Sequence, residues 1–222
     1  MSQAEDLWKG EDLKIISKTY TRYLAAMLFA LLLVGTTRAD TVAGSIWEGD
    51  PTGATNATIA NIPVTPANIT FTTNSPINFA VGALNYTIGD FLSSGTGSTI
   101  LTGAGDLGNT MLNTFFYFTG TVTVTNGETF TVTHDDGLTL VIGGLTVVNV
   151  PGPTAPITTT DTYTGPSGNL PYQLVYGECC GAPAVLNISL PLTSPVPEPS
   201  SAMLLVGGLL ALGAGFKLRY SL

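Results

Sequence analysis

Strict alternation of polar and apolar residues in the middle of this chain is the feature that most constrains its fold. Residues 121–125 read Thr-Val-Thr-Val-Thr, and residues 129–133 read Thr-Phe-Thr-Val-Thr. Side chains of a strand point alternately to opposite faces, so each run predicts a strand with one buried face. Asn126 and Gly127 lie between the runs, and this dipeptide is the strongest short signal for a β-hairpin. We therefore expect the two runs to pair as a hairpin, with Glu128 lengthening its loop.

Similar short segments predict strands along the rest of this region, and no window shows convincing helical periodicity. Short strands separated by Gly, Pro and Asn turns are typical of a sandwich or barrel. The predicted fold is therefore all-β: a single antiparallel β-sandwich, jelly-roll-like, of about 155 residues. Residues 85–98 fit either a short helix or a strand, and the Thr/Pro-rich residues 154–168 predict a long solvent-facing loop. The other predicted strands are residues 45–48, 69–72, 77–80, 114–120, 138–142, 145–150, 172–176 and 185–190, with a Gly143-Gly144 turn between the fifth and sixth of these.

Basic residues are confined to the two ends of the chain. No lysine or arginine occurs from Asp40 to Phe216, and the basic residues flank two apolar runs, residues 24–34 and 202–216. Positive charge resists membrane passage and marks the cytoplasmic side, so the middle of the chain is predicted to be exported. Phosphate binding requires Lys or Arg, which excludes nucleic acid as a partner of this region. Enzymes that rely on a lysine or an arginine clamp are excluded for the same reason.

Residues 1–39 have the features of a signal peptide. Basic residues precede an apolar run of about 11 residues, which is the length of a signal-peptide core and short for a membrane span. Small residues at the −3 and −1 positions predict cleavage by signal peptidase between Ala39 and Asp40. The alternative is a retained N-terminal anchor.

The C-terminal residues 194–222 combine Pro197-Glu198-Pro199, the apolar run and a basic tip with Lys217 and Arg219. This ordered combination closely resembles the PEP-CTERM sorting signal of exported bacterial proteins. The resemblance implies recognition and cleavage by an exosortase, in a Gram-negative cell that makes exopolysaccharide. The short transmembrane helix would extend roughly 22 Å, less than the ~30 Å of a hydrocarbon core, which suits a temporary anchor. An unprocessed membrane anchor is the alternative.

The predicted organisation is a signal-peptide helix in residues 1–39, an exported sandwich in residues 40–193 and a sorting signal in residues 194–222. Before C-terminal processing the protein would be anchored in the membrane. After processing it would belong to the cell surface or the extracellular matrix.

Paired carboxylates, Asp135 and Asp136, end one predicted strand, and Gly137 begins the next. Adjacent carboxylates repel unless a cation neutralises them, and Ca²⁺ prefers such oxygen ligands. The motif, with the strands that follow it, resembles the protective-antigen-type β-sandwich of flocculin adhesins over residues 115–190. The resemblance implies that both aspartates bind Ca²⁺, which in turn binds sugar hydroxyls. The alternative is a structural turn in which one aspartate accepts hydrogen bonds from backbone N–H groups. His134 is predicted to be half-exposed and without a catalytic role.

Cys179 and Cys180 are the only cysteines and are adjacent. Export favours disulfides, and neighbouring cysteines can bond to each other only as a vicinal disulfide. Flanking glycines, Gly177 and Gly181, make the necessary tight turn feasible. Free buried thiols and intermolecular disulfides are the alternatives.

Three classes of function fit these observations. The first is a non-catalytic surface or matrix protein that binds carbohydrate with the help of Ca²⁺, with exopolysaccharide as a partner. The second is a purely structural matrix protein. The third and least favoured is an extracellular glycoside hydrolase that uses two carboxylates, for example Asp135 with Glu178. Sugar clefts usually expose aromatic side chains, and the candidates are Tyr163, Tyr172 and Tyr176, although the last two share a strand face and can equally be core residues.

Overall fold

The computed structural model of the protein describes residues 41–192, which form eleven strands and two short α-helices. The helices are α1 (Pro51–Thr55) and α2 (Ile88–Ser94). The strands are β1 (Thr41–Trp47), β2 (Ile69–Asn74), β3 (Asn78–Val81), β4 (Thr99–Thr102), β5 (Thr114–Val124), β6 (Thr129–Asp135), β7 (Gly137–Ile142), β8 (Leu145–Val150), β9 (Ile157–Thr162), β10 (Gly168–Glu178) and β11 (Ala184–Ile188).

The strands build two antiparallel sheets around a main hydrophobic core, and a second, smaller cluster consists of Trp47, Ala57, Phe115 and Val175. The larger sheet has the order β4-β2-β1-β5-β10-β7-β8, and the smaller has the order β3-β11-β6-β9. Alternate residues of each sheet face the core, for example Phe116 and Phe118 of β5 and Phe130 and Val132 of β6. The predicted all-β antiparallel sandwich is confirmed.

The two runs around Asn126-Gly127 form strands, but they do not pair with each other. β5 lies between β1 and β10, whereas β6 lies between β11 and β9 in the other sheet. The predicted hairpin is therefore wrong, because both edges of β5 are taken by strands that are distant in sequence. The turn instead carries the chain between the sheets, and the Asn126 side-chain amide donates to the carbonyls of Thr164 and Gly165 at 2.9 and 2.8 Å.

For three other segments the outcome of the sequence prediction varies. The Gly143-Gly144 turn joins β7 and β8, which pair as predicted. The expected loop at residues 154–168 contains β9, an edge strand on β6 whose run of threonines concealed its strand character. The ambiguous residues 85–98 contain α2, and the Thr87 hydroxyl caps this helix by accepting from the Asp90 N–H at 3.1 Å.

Phe91 anchors α2 on the core. Its ring centroid lies 5.0 Å from that of Phe79, 5.4 Å from that of Phe116 and 5.9 Å from that of Tyr176, against which it stacks. Since these partners come from both sheets, Phe91 ties the helix to the sandwich as a whole.

Within residues 41–192, no helix has the length and apolar character needed to cross a membrane. The predicted signal peptide and the sorting signal with its Pro-Glu-Pro motif and basic tip lie outside the described residues.

Candidate functional site

Three connections that cross between the sheets meet at one end of the sandwich. Asp136 alone connects β6 to β7, residues 151–156 connect β8 to β9, and residues 179–183 connect β10 to β11. Together they line an open cleft of about 400 Å³. The lining residues are Asp135, Asp136, Pro153, Thr154, Ala155, Pro156, Cys180, Gly181, Ala182 and Pro183.

Gly137 lets the first of these connections lie tightly against the second. A Cβ atom on Gly137 would lie 2.1 Å from the carbonyl oxygen of Pro151, so no larger residue fits there without movement of the backbone. The peptide bond between Asp135 and Asp136 is cis. The two aspartates are only 4% and 3% exposed, yet both line the cleft.

Asp136 is held in place by backbone N–H groups of both neighbouring loops. Its Oδ2 accepts from the N–H groups of Cys179 and Cys180 at 2.9 and 3.1 Å, and its Oδ1 accepts from the N–H of Thr154 at 3.1 Å. Hydrogen bonds to a charged acceptor are stronger than neutral ones. Asp136 thus stabilises the loops by accepting hydrogen bonds from backbone N–H groups, which is the structural role considered above for one of the two aspartates.

Asp135 has a different environment. Within residues 41–192, no N–H group donates to its carboxylate, which interacts instead with the carboxyl group of Asp136. Burial raises the pKa of Asp135 to about 6, and the negative charge of Asp136 and a hydrogen bond between the two carboxyls act in the same direction. No lysine or arginine occurs in this region to balance the pair. The cleft therefore carries negative charge that a bound cation would neutralise.

The sulfur atoms of Cys179 and Cys180 are bonded to each other at 2.11 Å. Asp136 and these two cysteines place their potential ligand atoms within 4.8 Å of one another. Cysteine binds metals as a thiolate, and neither sulfur of a disulfide is a thiolate, so this cluster offers no cysteine ligands. The 3.2 Å contact between Cys179 Sγ and Asp136 Oδ2 is likewise not a hydrogen bond, since the disulfide sulfur carries no proton. Oxygen atoms are the ligands that the cleft can provide.

Glu178 forms a second acidic centre, which is fully buried. The hydroxyls of Tyr86 and Tyr176 contact its two carboxyl oxygens, the second at 2.7 Å, and Tyr176 also reaches the backbone carbonyl of Asp135. A hydroxyl has one proton, so Tyr176 satisfies both acceptors only when Glu178 is protonated and donates to it. The pKa of Glu178 is raised to about 8, chiefly by burial; the hydrogen bonds from Tyr86 and Tyr176 lower it, and the negative charges of Asp136 and Asp135 raise it.

The pair considered for glycoside hydrolysis is therefore not assembled in one cleft. Asp135 lines the cleft, whereas Glu178 is buried and is absent from the lining. Sequence reasoning missed the role of Tyr86, which meets Glu178 across a separation of 92 residues. The only local signal was the inward position of Glu178 at the end of β10.

The expectation of a half-exposed His134 is wrong, because this side chain is fully buried. Its Nδ1 lies 2.5 Å from the carbonyl oxygen of Asp136. A carbonyl can only accept, so Nδ1 carries the proton and donates. His134 thus supports the backbone of the acidic pair from inside the sandwich.

The three tyrosines considered as exposed sugar-binding residues are also buried. Tyr172 and Tyr176 occupy inward positions of β10 and are core residues, which was the alternative to a sugar-binding role. Tyr163 is buried too, with its hydroxyl donating to the carbonyl of Pro166 at 3.0 Å. The residues that line the cleft accordingly include no aromatic side chain.

Sequence comparison matches the chain to no protein family and to no curated protein. Solved structures do match its fold. A PA14 sugar-binding domain from an RTX adhesin is 22% identical with a TM-score of 0.52, covering 71% of this chain and all of that one. The PA14 domain of an antifreeze protein is 21% identical with a TM-score of 0.51, covering 74% of this chain and 88% of that one. The chain therefore has a PA14-like fold, in keeping with the adhesin-type β-sandwich that its sequence resembles.

Proposed function

We propose that residues 40–193 form a non-catalytic, Ca²⁺-dependent carbohydrate-binding domain of an exported surface or extracellular-matrix protein. The observation that carries this proposal is the pair of carboxylates in the cleft, where Asp135 has no N–H donor and Asp136 is fixed by three of them. The similarity of the fold to a sugar-binding domain from an adhesin supports carbohydrate as the ligand class. Exopolysaccharide is the partner that the predicted sorting signal favours.

The donor set of the cleft suits a hard cation such as Ca²⁺. Asp135 and Asp136 would hold the ion, and loops 153–156 and 180–183 line the same cleft. Ca²⁺ takes about six to eight oxygen ligands in a flexible shell, which leaves positions for sugar hydroxyls. The bound ion would supply the positive charge that the protein lacks in this region.

Export completes the proposal. Signal peptidase would remove residues 1–39, and an exosortase would process residues 194–222 after a membrane-anchored stage. A disulfide between the only two cysteines and the absence of lysine and arginine from residue 40 to residue 216 fit an exported domain. The alternative function is a purely structural matrix protein, which the three backbone hydrogen bonds to Asp136 favour.

Melting temperatures of the full chain in detergent, with millimolar Ca²⁺, with Mg²⁺ and with EDTA, test the metal site. Ca²⁺ at about a hundred times its dissociation constant adds about 2.7 kcal/mol, which corresponds to about 5–10 °C for a domain of this size. Asp135→Asn is the informative variant, because it removes one of the two negative charges that would hold the cation and leaves the three N–H groups that donate to Asp136 in place. We expect it to abolish the Ca²⁺ shift while leaving the melting temperature in EDTA unchanged or higher.

Asp161→Asn, on β9 and outside the cleft lining, is the matched control and should keep the Ca²⁺ shift. Equal shifts for the wild type and for Asp135→Asn, or no Ca²⁺-selective shift at all, would leave the structural alternative. Binding of the wild type to a glycan array with and without EDTA then tests the carbohydrate ligand.

A further inference from the structure

We propose that the Cys179–Cys180 disulfide is part of the sugar-contacting surface and packs against the C–H face of a neutral pyranose. The proposal rests on the proposed function and specifies its ligand class. It assigns to the disulfide the contact that an aromatic side chain makes in other sugar clefts.

The lining of the cleft divides into an acidic part and an apolar part. Asp135 and Asp136 supply its carboxylates. The remaining side chains, apart from Thr154 and Gly181, are apolar, and we call them the apolar rim: Pro153, Ala155, Pro156, Cys180, Ala182 and Pro183. A pyranose has the same division, with hydroxyl groups at its edges and a face of C–H groups.

Contact between a C–H face and the apolar rim removes apolar surface from water on both partners, which is favourable. Cys180 is exposed at the cleft, whereas Cys179 is 5% exposed. Cys180 Sγ lies within 4.8 Å of a carboxylate oxygen of Asp136. The exposed half of the disulfide would therefore meet a ligand beside the acidic pair, while the other half is packed in the protein. Since Asp135 and Cys180 line the same cleft, a sugar whose hydroxyls bind a cation at Asp135 would bring its ring close to Cys180.

The disulfide is fixed relative to the acidic pair by hydrogen bonds. The N–H groups of both cysteines donate to Asp136 Oδ2. The bond also closes a ring within two adjacent residues, so few rotations remain for binding to restrict. A surface that is already ordered loses little entropy when a ligand docks on it.

The charge of the cleft selects neutral sugars over anionic ones. Its lining contains two carboxylates and no basic residue. A uronic acid would add a third carboxylate, which Asp135 and Asp136 would repel. Only the bound cation could offset this repulsion. We therefore expect a neutral pyranose to bind more tightly than the uronic acid with the same ring.

The test is titration of the full chain in detergent with methyl glucoside, methyl galactoside, methyl mannoside and glucuronic acid, in Ca²⁺. The variants are Cys179→Ala with Cys180→Ala, which removes the disulfide, and Pro156→Ser, which alters the rim from the other loop. Pro166→Ser, at a loop outside the cleft lining, is the control. Melting temperatures with Ca²⁺ and with EDTA are recorded for every variant.

We expect both rim variants to keep the Ca²⁺ shift and to bind the best neutral glycoside about fivefold to tenfold more weakly, as for the loss of one or two methylene-sized contacts. Pro166→Ser should bind like the wild type, and glucuronic acid should bind more weakly than methyl glucoside. Unchanged affinity of the disulfide variant, or equal binding of glucuronic acid, would overturn the proposal while leaving the proposed function intact.

Loss of the Ca²⁺ shift in the disulfide variant, with wild-type affinity in Pro156→Ser, would also overturn it, since the disulfide would then act only by holding Asp136. Failure of the wild type to bind any of the glycosides would reject carbohydrate binding as well. The change in the melting temperature of the wild type with Ca²⁺ would then show separately whether the cleft binds the metal.

Discussion

Glu178→Gln is expected to change how the stability of this protein depends on pH. The carboxyl group is buried with a pKa raised from 4.5 to about 8, and the domain contains no lysine or arginine to stabilise its ionised form. Glutamine has the size and hydrogen-bonding groups of a protonated glutamate and cannot ionise. The substitution therefore keeps the contacts with Tyr86 and Tyr176 but removes the titration.

The direction follows from the proton count of each state. Below about pH 4.5 the carboxyl is protonated in both the folded and the unfolded chain, whereas between about pH 4.5 and pH 8 only the unfolded chain has lost the proton. Ionisation then favours unfolding, so this group makes the free energy of unfolding fall as pH rises through that window. Between about pH 5 and pH 8 the expected loss is about 3 kcal/mol, since each unit of pKa shift corresponds to about 1.4 kcal/mol.

Urea denaturation in EDTA at several pH values between about 5 and 8 measures the effect. Wild type and Glu178→Gln should have similar free energies of unfolding at the acidic end, and the variant should be the more stable by about 3 kcal/mol at the alkaline end. Asp135, whose pKa is also raised, adds a slope of the same sign to both proteins and cancels in the difference. Glu128→Gln, in the turn between β5 and β6, is the control and should follow the wild type. Parallel curves for wild type and Glu178→Gln would refute the reasoning.

Three further substitutions test other parts of the structure. Phe91→Ala should lower the free energy of unfolding by about 3–5 kcal/mol in urea, because it removes the ring that packs between Phe79, Phe116 and Tyr176. Gly137→Ala should lower the free energy of unfolding by at least about 2 kcal/mol or prevent folding, since the new Cβ meets the Pro151 carbonyl. Gly152→Ala is the control: its Cβ meets nothing within 4 Å, so the free energy of unfolding in urea should hardly change. Asp136→Asn should lower the free energy of unfolding in EDTA by about 2 kcal/mol, and with it the melting temperature, because it weakens three charge-assisted hydrogen bonds. If Asp136→Asn and Asp135→Asn had the same melting temperature, the two carboxylates would not differ in their structural roles.

The strands could be predicted because their signal is local. The period of two in residues 121–125 and 129–133 reports which face of each segment is buried, and both are strands. Their pairing was predicted wrongly because it depends on competition among distant segments. β5 is flanked by β1 and β10, so the hairpin signal of Asn126-Gly127 produced a turn between sheets.

The candidate site was predictable only in part. Asp135 and Asp136 stand out because two adjacent carboxylates need an explanation wherever they lie. The division of labour between them did not follow from sequence, because the N–H donors to Asp136 come from loops 18 and 43–44 residues away. Likewise, no local pattern separates buried Tyr172 and Tyr176 from exposed sugar-binding tyrosines.

Composition and local pattern by themselves determined that this region is an acidic all-β domain without lysine or arginine, with one acidic pair and one pair of adjacent cysteines. These properties belong to the chain and hold in any conformation. Only the tertiary structure decided that Asp136 is anchored to both cysteines, that Glu178 is buried against Tyr86 and Tyr176, and that the disulfide lies at the edge of the cleft. The physical reason is that burial and hydrogen bonding depend on which distant segments meet, and that choice is made by the packing of two whole sheets.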